Sequence, residues 1–336
     1  MKYNRVGTSG LKVSELCLGA MMFGDQTPLD ETKRIVDAAA DAGVNFIDTA
    51  NIYAYGESEK FVGDVLKGRR DDWVLATKVG ANMKQGTIDT SNSRKRIMIE
   101  ADRSLARLET DYIDLYYLHV DDLGTPLEEP VRAMGDLIQA GKVRYWAFSN
   151  FFAWRIPETV LAADALGVPR PVAMQAAYNI VNRSLEQEHL PACMHFGIGV
   201  MAYSPLARGV LTGKYVLGQE APADSRAGRK DARILDSEIR DESLEAAQTL
   251  KAHAESRGMT AAEFAVKWVL NNKAVTSVIG GPKNMSQWEG YVSALEKDFA
   301  PADEALVDDL VTPGFSSTPF YGDPKLPPRG RDPEVK

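Results

Sequence analysis

Cysteine is nearly absent. Cys17 and Cys193 are the only two in 336 residues, both in apolar surroundings, which excludes a disulfide scaffold and points to reduced core thiols. Histidine is scarce as well, with four, and there is no His-x-x-x-His pair or Cys cluster of the kind that holds a metal. Positive charge is in the minority, 39 Lys and Arg against 47 Asp and Glu, and a formal charge of -8 argues against nucleic acid or an anionic membrane as partner. No apolar run approaches the roughly 18 residues that span a bilayer. The stretch from Met1 to Arg5 has no hydrophobic region behind it, as a signal peptide would. The expectation is a soluble, cytoplasmic protein. With 44% apolar and 26% charged residues the composition is that of a globular fold.

What is present is alternation. Short β-branched or aromatic runs read as strands at Glu15–Leu18, Asn45–Thr49, Trp73–Val79, Ile113–His119, Val143–Ser149, Val172–Tyr178, Gly199–Tyr203 and Thr276–Gly280. Between them lie stretches of helical apolar spacing, among them Leu29–Ala42, Ser58–Leu66, Ser93–Leu108, Leu127–Ala140, Arg155–Leu166 and Ser184–Phe196, with Glu242–Arg257 and Ala261–Asn271 before the last strand and Ser286–Leu295 and Asp303–Val311 after it. The strand runs are apolar throughout, as strands buried on both faces are. Eight such units in α/β order predict a closed (β/α)8 TIM barrel in a single domain, with a doubly wound sheet as the structural alternative. The prefix Tyr3–Val13 reads as a hairpin capping one barrel end. Two segments break the pattern: a long loop at Gly209–Ile234 after the seventh strand, and a Pro/Gly-rich C-terminal tail from Thr312 to Lys336, read as a pocket wall or as simple disorder.

On a parallel barrel, chemistry sits at the C-terminal ends of the strands. There the sequence places Asp48, with Tyr53 just beyond it, then Lys78, then His119. Each taken singly has a plain structural explanation, an ion pair, a solvated side chain or a core histidine. Together they are an acid, a phenol, a cation and an imidazole at adjacent strand ends. An ammonium beside a phenol lowers its pKa from about 10 and a carboxylate steadies the ammonium, which makes a general acid for an oxygen atom. Aromatics in the pocket loops, Tyr55, Phe151, Phe152 and Trp154, are candidate substrate contacts or packing, and Met21, Met22 and Phe23 read as pocket wall or core. The charged run Gly68–Asp72 reads as a solvated turn. Gly209–Lys214 is one residue short of a phosphate loop and has Tyr215 where a hydroxyl must reach magnesium, so that reading fails.

The run Phe46-Ile47-Asp48-Thr49-Ala50-Asn51-Ile52-Tyr53, followed by Gly56-Glu57-Ser58-Glu59, resembles the signature of the aldo-keto reductase superfamily. The resemblance continues in order through Ala76-Thr77-Lys78, Tyr117-Leu118-His119, Phe148-Ser149-Asn150, Gln175, Tyr203-Ser204-Pro205-Leu206 and Ile279-Gly280-Gly281. The stretch Gly209–Tyr215 is similar to the branch that includes bacterial oxidoreductases and the potassium-channel β-subunits. The resemblance implies a catalytic tetrad of Asp48, Tyr53, Lys78 and His119, with Tyr53 and His119 meeting the substrate carbonyl. It implies NADPH as cofactor: Tyr203 stacking on the nicotinamide, Ser149, Asn150 and Gln175 on its carboxamide, and Ser204, Pro205, Leu206 and Lys214 at the pyrophosphate. Lys283, Gln287 and Arg226 fall at the adenosine and its 2′-phosphate, and Gly19, Ala20, Met21 and Gly281 line the same groove. Departures are Ala147 for a usual Gly, Ala20 for a frequent Thr, and Gly290 and Tyr291 for a Glu and Asn, so Tyr291 is expected to stack at the adenine. The implied activity is reversible reduction of an aldehyde or ketone, with a small-molecule carbonyl compound as substrate; the sequence leaves the oligomeric state open. The alternative is a nucleotide-binding regulatory module of the channel β-subunit type, whose members lack a His at the position of His119.

Overall fold

Two short strands, β1 (Tyr3–Arg5) and β2 (Lys12–Ser14), pair antiparallel with Tyr3 opposite Ser14 and form the expected hairpin. The structure, a computed structural model, describes residues 1–84 and 87–322. The hairpin turn lies tight against the start of a barrel strand: a Cβ on Gly7, whose φ is +56°, would meet the Gly197 carbonyl oxygen at 2.1 Å.

The chain then runs β3 (Leu16–Gly19), α1 (Leu29–Asp41), β4 (Phe46–Asp48), α2 (Glu57–Leu66), β5 (Val74–Val79), β6 (Ala81–Lys84), β7 (Thr87–Thr90), α3 (Arg94–Leu108), β8 (Ile113–Leu118), α4 (Glu128–Gln139), β9 (Val143–Ser149) and α5 (Arg155–Leu166). It continues with β10 (Ala173–Ala177), α6 (His189–Phe196), β11 (Gly199–Tyr203), α7 (Ala232–Ser237), α8 (Asp241–Ser256), α9 (Ala261–Asn271), β12 (Val275–Gly280), α10 (Met285–Ala294) and α11 (Pro301–Leu310). Eight strands close a parallel barrel in the order β10-β11-β12-β3-β4-β5-β8-β9. This is the (β/α)8 barrel, and closure disposes of the open doubly wound sheet. The pair β6–β7, outside the barrel, has no counterpart in the reading of the sequence. The segment Gly209–Ile234 is not wholly irregular, since it opens within a turn of 3-10 helix (Ala207–Thr212) and ends inside α7.

Side chains alternate along each strand. Cys17, Phe46, Val74, Ala76, Leu115, Tyr117, Ala147, Ala173, Met201 and Ile279 fill the barrel interior, and Val6 and Val13 of the hairpin join them. Leu16, Leu18, Ile47, Leu75, Tyr116, Leu118, Phe148 and Val200 face the helices in the second, outer core. Both faces are therefore dry, which is why the strand runs are continuously apolar. Cys17 and Cys193 are free thiols and buried. The run Gly68–Asp72 is more than a solvated turn: the Arg70 guanidinium pairs with Asp114 at 2.6 Å and donates to the Tyr112 and Trp73 carbonyls, tying β5 to β8 at their starts.

The tail is ordered as far as it is described. Ser316 bridges to Asn182, the Arg183 amide donates to the Phe315 carbonyl, and Tyr321 stacks under the Arg240 guanidinium at 3.9 Å. The tail thus runs beside the loop that leaves β10, with Phe315 and Phe320 exposed, and residues 323–336 lie outside the described chain.

Candidate active site

The inward register places the chemistry. Following each strand two residues at a time leads from an apolar interior to a polar top: Phe46 to Asp48, Ala76 to Lys78, Tyr117 to His119, Ala147 to Ser149, Ala173 to Gln175 and Met201 to Tyr203. Lys78 is fully buried, and its ammonium donates to Asp48 Oδ1 at 2.5 Å, to the Thr49 carbonyl at 2.6 Å and to the Tyr53 hydroxyl at 3.3 Å. Gln175 Nε2 donates to the other Asp48 oxygen at 2.8 Å. The His119 ring meets Tyr53 edge to face, centroids 5.8 Å apart. All four tetrad positions are therefore one cluster.

The loop after β4 holds Tyr53 there by strain and by hydrogen bonds. Ala54 and Tyr55 adopt φ of +46° and +56°, a left-handed turn that non-glycine residues enter at a cost of about 1 kcal/mol or more each. Tyr55 consequently points to solvent, 85% exposed, at the rim. Ser58 bonds Thr49 Oγ1 at 2.8 Å and donates to the Ala20 carbonyl at 2.7 Å. Glu59, fully buried, accepts from Thr77 at 2.6 Å and from Arg107 Nε at 2.6 Å. Gly56 suits this turn because its φ of +96° is one that L side chains rarely adopt, and a Cβ there would also press on the Arg107 side chain at 3.0 Å. The Gly56-Glu57-Ser58-Glu59 run is thus the brace beneath the Tyr53 loop, a role its sequence did not disclose.

Electrostatics differ from expectation at Tyr53. Burial raises the phenol, the Lys78 charge lowers it, and the net value stays above the ordinary one. Lys78 is itself raised: burial pulls it down, but Asp48 and Tyr53 more than offset that. Burial also raises Asp48, against the pull of Lys78. His119 is pushed down to about 3, first by burial and then by the Lys78 charge, and its Nδ1 is sealed from solvent without a partner. The imidazole is neutral at physiological pH.

Beside the tetrad, Asn150 Nδ2 donates to the His119 carbonyl at 2.9 Å and to Ser149 Oγ at 3.0 Å, while its Oδ1 accepts from the Tyr203 hydroxyl at 2.8 Å. Ser149, as acceptor, keeps its own proton, and Asn150 Oδ1 keeps a lone pair, so the group retains one donor and one acceptor for a carboxamide. Ser204, at φ +55°, turns the chain away from β11, and Asn179 Nδ2 holds the Ser204 carbonyl at 3.1 Å; Asn179, another residue that sequence reading passed over, has its Oδ1 buried and unpaired. Pro205 is buried and Leu206 half-buried behind it.

The loop after β11 crosses to the loops after β3 and β12. Arg229 donates to Gln26 Oε1 at 3.0 Å, Arg226 approaches Met22 Sδ at 3.8 Å, and the Lys283 ammonium lies 3.5 Å from the Asp224 carbonyl. Gln287 accepts from the Lys283 amide at 2.9 Å just after the Asn284 cap of α10. Arg226, Lys283 and Gln287 are therefore neighbours, and Gly281 between them and β12 is exposed with open space around it. Lys214 is exposed, its ammonium 5.2 Å from the Tyr215 ring centroid. Gly19 and Ala20 are buried at the top of β3, with Met21 half-buried after them.

Two expected residues sit differently. Phe151 is 4% exposed and stacks on Phe148 at 4.9 Å in the strand–helix layer, just after Asn150 at φ +57°, whereas Trp154 and Tyr55 are exposed. Tyr291 lies with its ring against Gly280, where a Cβ would meet it at 2.9 Å, and burial pushes its hydroxyl up to about 12. It closes the end of β12 rather than presenting an open ring face. Among the described residues, no cluster of three or more His, Cys, Asp or Glu could hold a metal ion, and no helix is long and apolar enough to cross a membrane.

A closed parallel barrel carries a buried Tyr–Lys–Asp–His group at its C-terminal mouth. The chain belongs to the aldo/keto reductase family, whose model matches residues 15–312. It is 39% identical over 325 residues to an Arabidopsis thaliana protein named as a probable voltage-gated potassium channel subunit beta, covering 95% of this chain and 98% of that one. It is also 39% identical over 302 residues to an Oryza sativa subsp. japonica protein of the same name, covering 88% and 92%.

Proposed function

We propose that this chain is an NADPH-dependent reductase that converts an aldehyde or ketone reversibly to the alcohol, with Tyr53 as proton donor. The observation that carries this reading is the buried Lys78 ammonium shared between the Asp48 carboxylate and the Tyr53 hydroxyl. A phenol held above its ordinary pKa is protonated throughout the neutral range, as a proton donor must be. When Tyr53 Oη gives its proton to the carbonyl oxygen, the phenolate left behind lies 3.3 Å from the Lys78 nitrogen, whose charge Asp48 fixes in place. Neutral His119 offers a hydrogen bond to the same oxygen without adding charge.

The residues present fit the dinucleotide. Ser149, Asn150 and Gln175 would hold its carboxamide, Tyr203 would stack on the ring, and Gly19, Ala20, Met21 and Asp48 would line the groove. Ser204, Pro205, Leu206 and Lys214 would meet the pyrophosphate, with Gly281, Arg226, Lys283, Gln287 and Tyr291 at the adenosine end. Two cations grouped there favour NADPH over NADH. Bound, the dihydronicotinamide supplies the hydride that reaches the carbonyl carbon.

A second reading has support in the two plant relatives: a nucleotide-binding subunit for a potassium channel that turns over little. Nicotinamide absorbance followed with NADPH against a panel of aldehydes and ketones separates them. The reductase reading expects turnover that falls about 100- to 10,000-fold in Tyr53→Phe, with NADPH affinity changed less than about 3-fold. Tight NADPH binding without turnover on any panel member favours the channel reading, and undiminished turnover in Tyr53→Phe removes Tyr53 from its role.

A further inference from the structure

Tyr53 and Lys78 stand on different elements, and the gap between them is set from behind. The Tyr53 and Tyr55 amides donate inside their own loop, to the Ala50 and Ile52 carbonyls, so these bonds shape the turn without tying it to β5, which carries Lys78. Ala54, Tyr55 and Gly56 then take φ of +46°, +56° and +96° in succession. A left-handed run of this kind persists only where the surrounding structure over-determines it.

Glu59 and Arg107 supply the tie. Glu59, buried in the first turn of α2, accepts on Oε1 from Thr77, the residue before Lys78, at 2.6 Å. Its other oxygen takes Nε and Nη2 of Arg107, each at 2.6 Å. Arg107 is in the last turn of α3, and its Nη2 also donates to Ser104 Oγ of the same helix at 3.3 Å. The Arg107 stem lies against the loop itself, since a Cβ on Gly56 would meet its Cδ at 3.0 Å and its Nε at 3.2 Å. The end of α3 is a close-packed wall: a Cβ on Gly63 of α2 would meet the Leu108 carbonyl oxygen at 2.7 Å. One side chain from α3 therefore touches the loop three residues after Tyr53. Through a single buried carboxylate it also holds the strand one residue before Lys78.

We propose that Arg107 is a positioning residue for proton transfer, holding the Tyr53 hydroxyl and the Lys78 ammonium at their 3.3 Å separation through Gly56 on one side and Glu59 with Thr77 on the other. Arg107 acts through these neighbours and not on the reacting atoms, so its loss lowers kcat and spares binding. That kinetic consequence rests on the reductase reading, whereas the positioning of Tyr53 does not. A guanidinium suits the task because its planar fork fixes the direction of the stem, while the ammonium of lysine rotates freely about one nitrogen.

The test compares Arg107→Ala, Arg107→Lys and the double variant Arg107→Ala with Glu59→Gln, which removes the stranded carboxylate charge and keeps an acceptor for Thr77. Arg107→Ala is expected to lower kcat about 10- to 100-fold, with KM and NADPH affinity changed less than about 3-fold and Arg107→Lys between it and the native chain. The double variant should regain most of the lost melting temperature but not the lost kcat, and it carries the test if the single variant fails to fold. A readout free of turnover is NMR of the chain labelled with carbon-13 at tyrosine Cζ, the Tyr53 line being the one missing from Tyr53→Phe. In the double variant that line should shift or broaden while the line of Tyr178, beyond β10, stays in place. Recovery of kcat together with melting temperature would overturn the proposal, by reducing Arg107 to charge compensation for Glu59. KM or NADPH affinity falling in step with kcat would overturn it, and so would an unmoved Tyr53 line. A native chain that turns over no carbonyl compound, with the Tyr53 line still displaced in the double variant, would retire the reductase reading and leave the positioning role standing.

Discussion

Removing the charge from Asp48 tests the buried pair most directly. Asp48 and Lys78 are 3% and 0% exposed at their side chains and 2.5 Å apart, and in Asp48→Asn the ammonium keeps neutral acceptors, the Thr49 carbonyl, the Tyr53 hydroxyl and the new amide oxygen, but loses its carboxylate charge partner. Leaving one member of a buried pair uncompensated costs about 3–5 kcal/mol. In a chain of this length that is a fall of about 4–8 °C in melting temperature. The pH dependence carries the sharper signature. In the native chain Lys78 is held above its ordinary value, burial being more than offset by Asp48 and Tyr53. Its contribution is therefore present below about pH 10.4 and lost as pH rises through the higher folded value. In Asp48→Asn burial dominates and the folded value drops below the unfolded one, so the deficit is greatest near neutrality and shrinks as pH climbs towards about 10. Melting curves of both proteins between pH 7 and pH 10 should converge. Adding Lys78→Met removes the stranded charge and should restore more than half of the loss at pH 7. Parallel pH profiles, or a deficit below about 1 kcal/mol, would refute a charged, mutually dependent pair.

Lys283→Ala should weaken NADPH about 10-fold and NADH less than about 2-fold in fluorescence titrations, and equal losses would take Lys283 away from the 2′-phosphate. His119, pushed down to about 3 in the folded chain, contributes stability that is complete above its unfolded value of about 6.5 and is lost as pH falls towards 3, up to about 5 kcal/mol in all. His119→Gln removes that term, so its melting temperature should fall less than the native one between pH 7 and pH 4, and identical falls would mean that the imidazole titrates normally.

What was legible in the sequence is what repeats. The runs Val143–Ser149, Gly199–Tyr203 and Arg155–Leu166 coincide with β9, β11 and α5, because a strand dry on both faces and a helix between strands leave unambiguous patterns. The strands β6 and β7 left none: they pair only with each other, and nothing in their composition separates them from a loop. The short α7 hid in a charged segment, marked only by Asp231 accepting from the Arg233 amide. At the site, spacing was enough to bring Asp48, Tyr53, Lys78 and His119 together. It was not enough to sign the Tyr53 shift, since proximity to Lys78 is visible in a sequence and the depth of burial is not. Phe151 shows the same limit, since neither its burial nor its stacking on Phe148 is visible in the sequence.

The barrel interior explains why these groups stand or fall together. Each strand carries its inward row from packing to chemistry within two residues, Phe46 below Asp48 and Ala76 below Lys78. The apolar layer excludes water from the layer above, which strengthens every charge–charge contact there and removes any solvent that could replace a lost partner. Lys78 is then charged because Asp48 is, Asp48 is fixed by Lys78 and Gln175, and Tyr53 is held protonated by the same burial that its Lys78 contact only partly offsets. A substitution at any one of them changes the protonation of the others before it changes their positions. Single-variant rates at this site therefore measure the cluster, and only double variants such as Asp48→Asn with Lys78→Met apportion it.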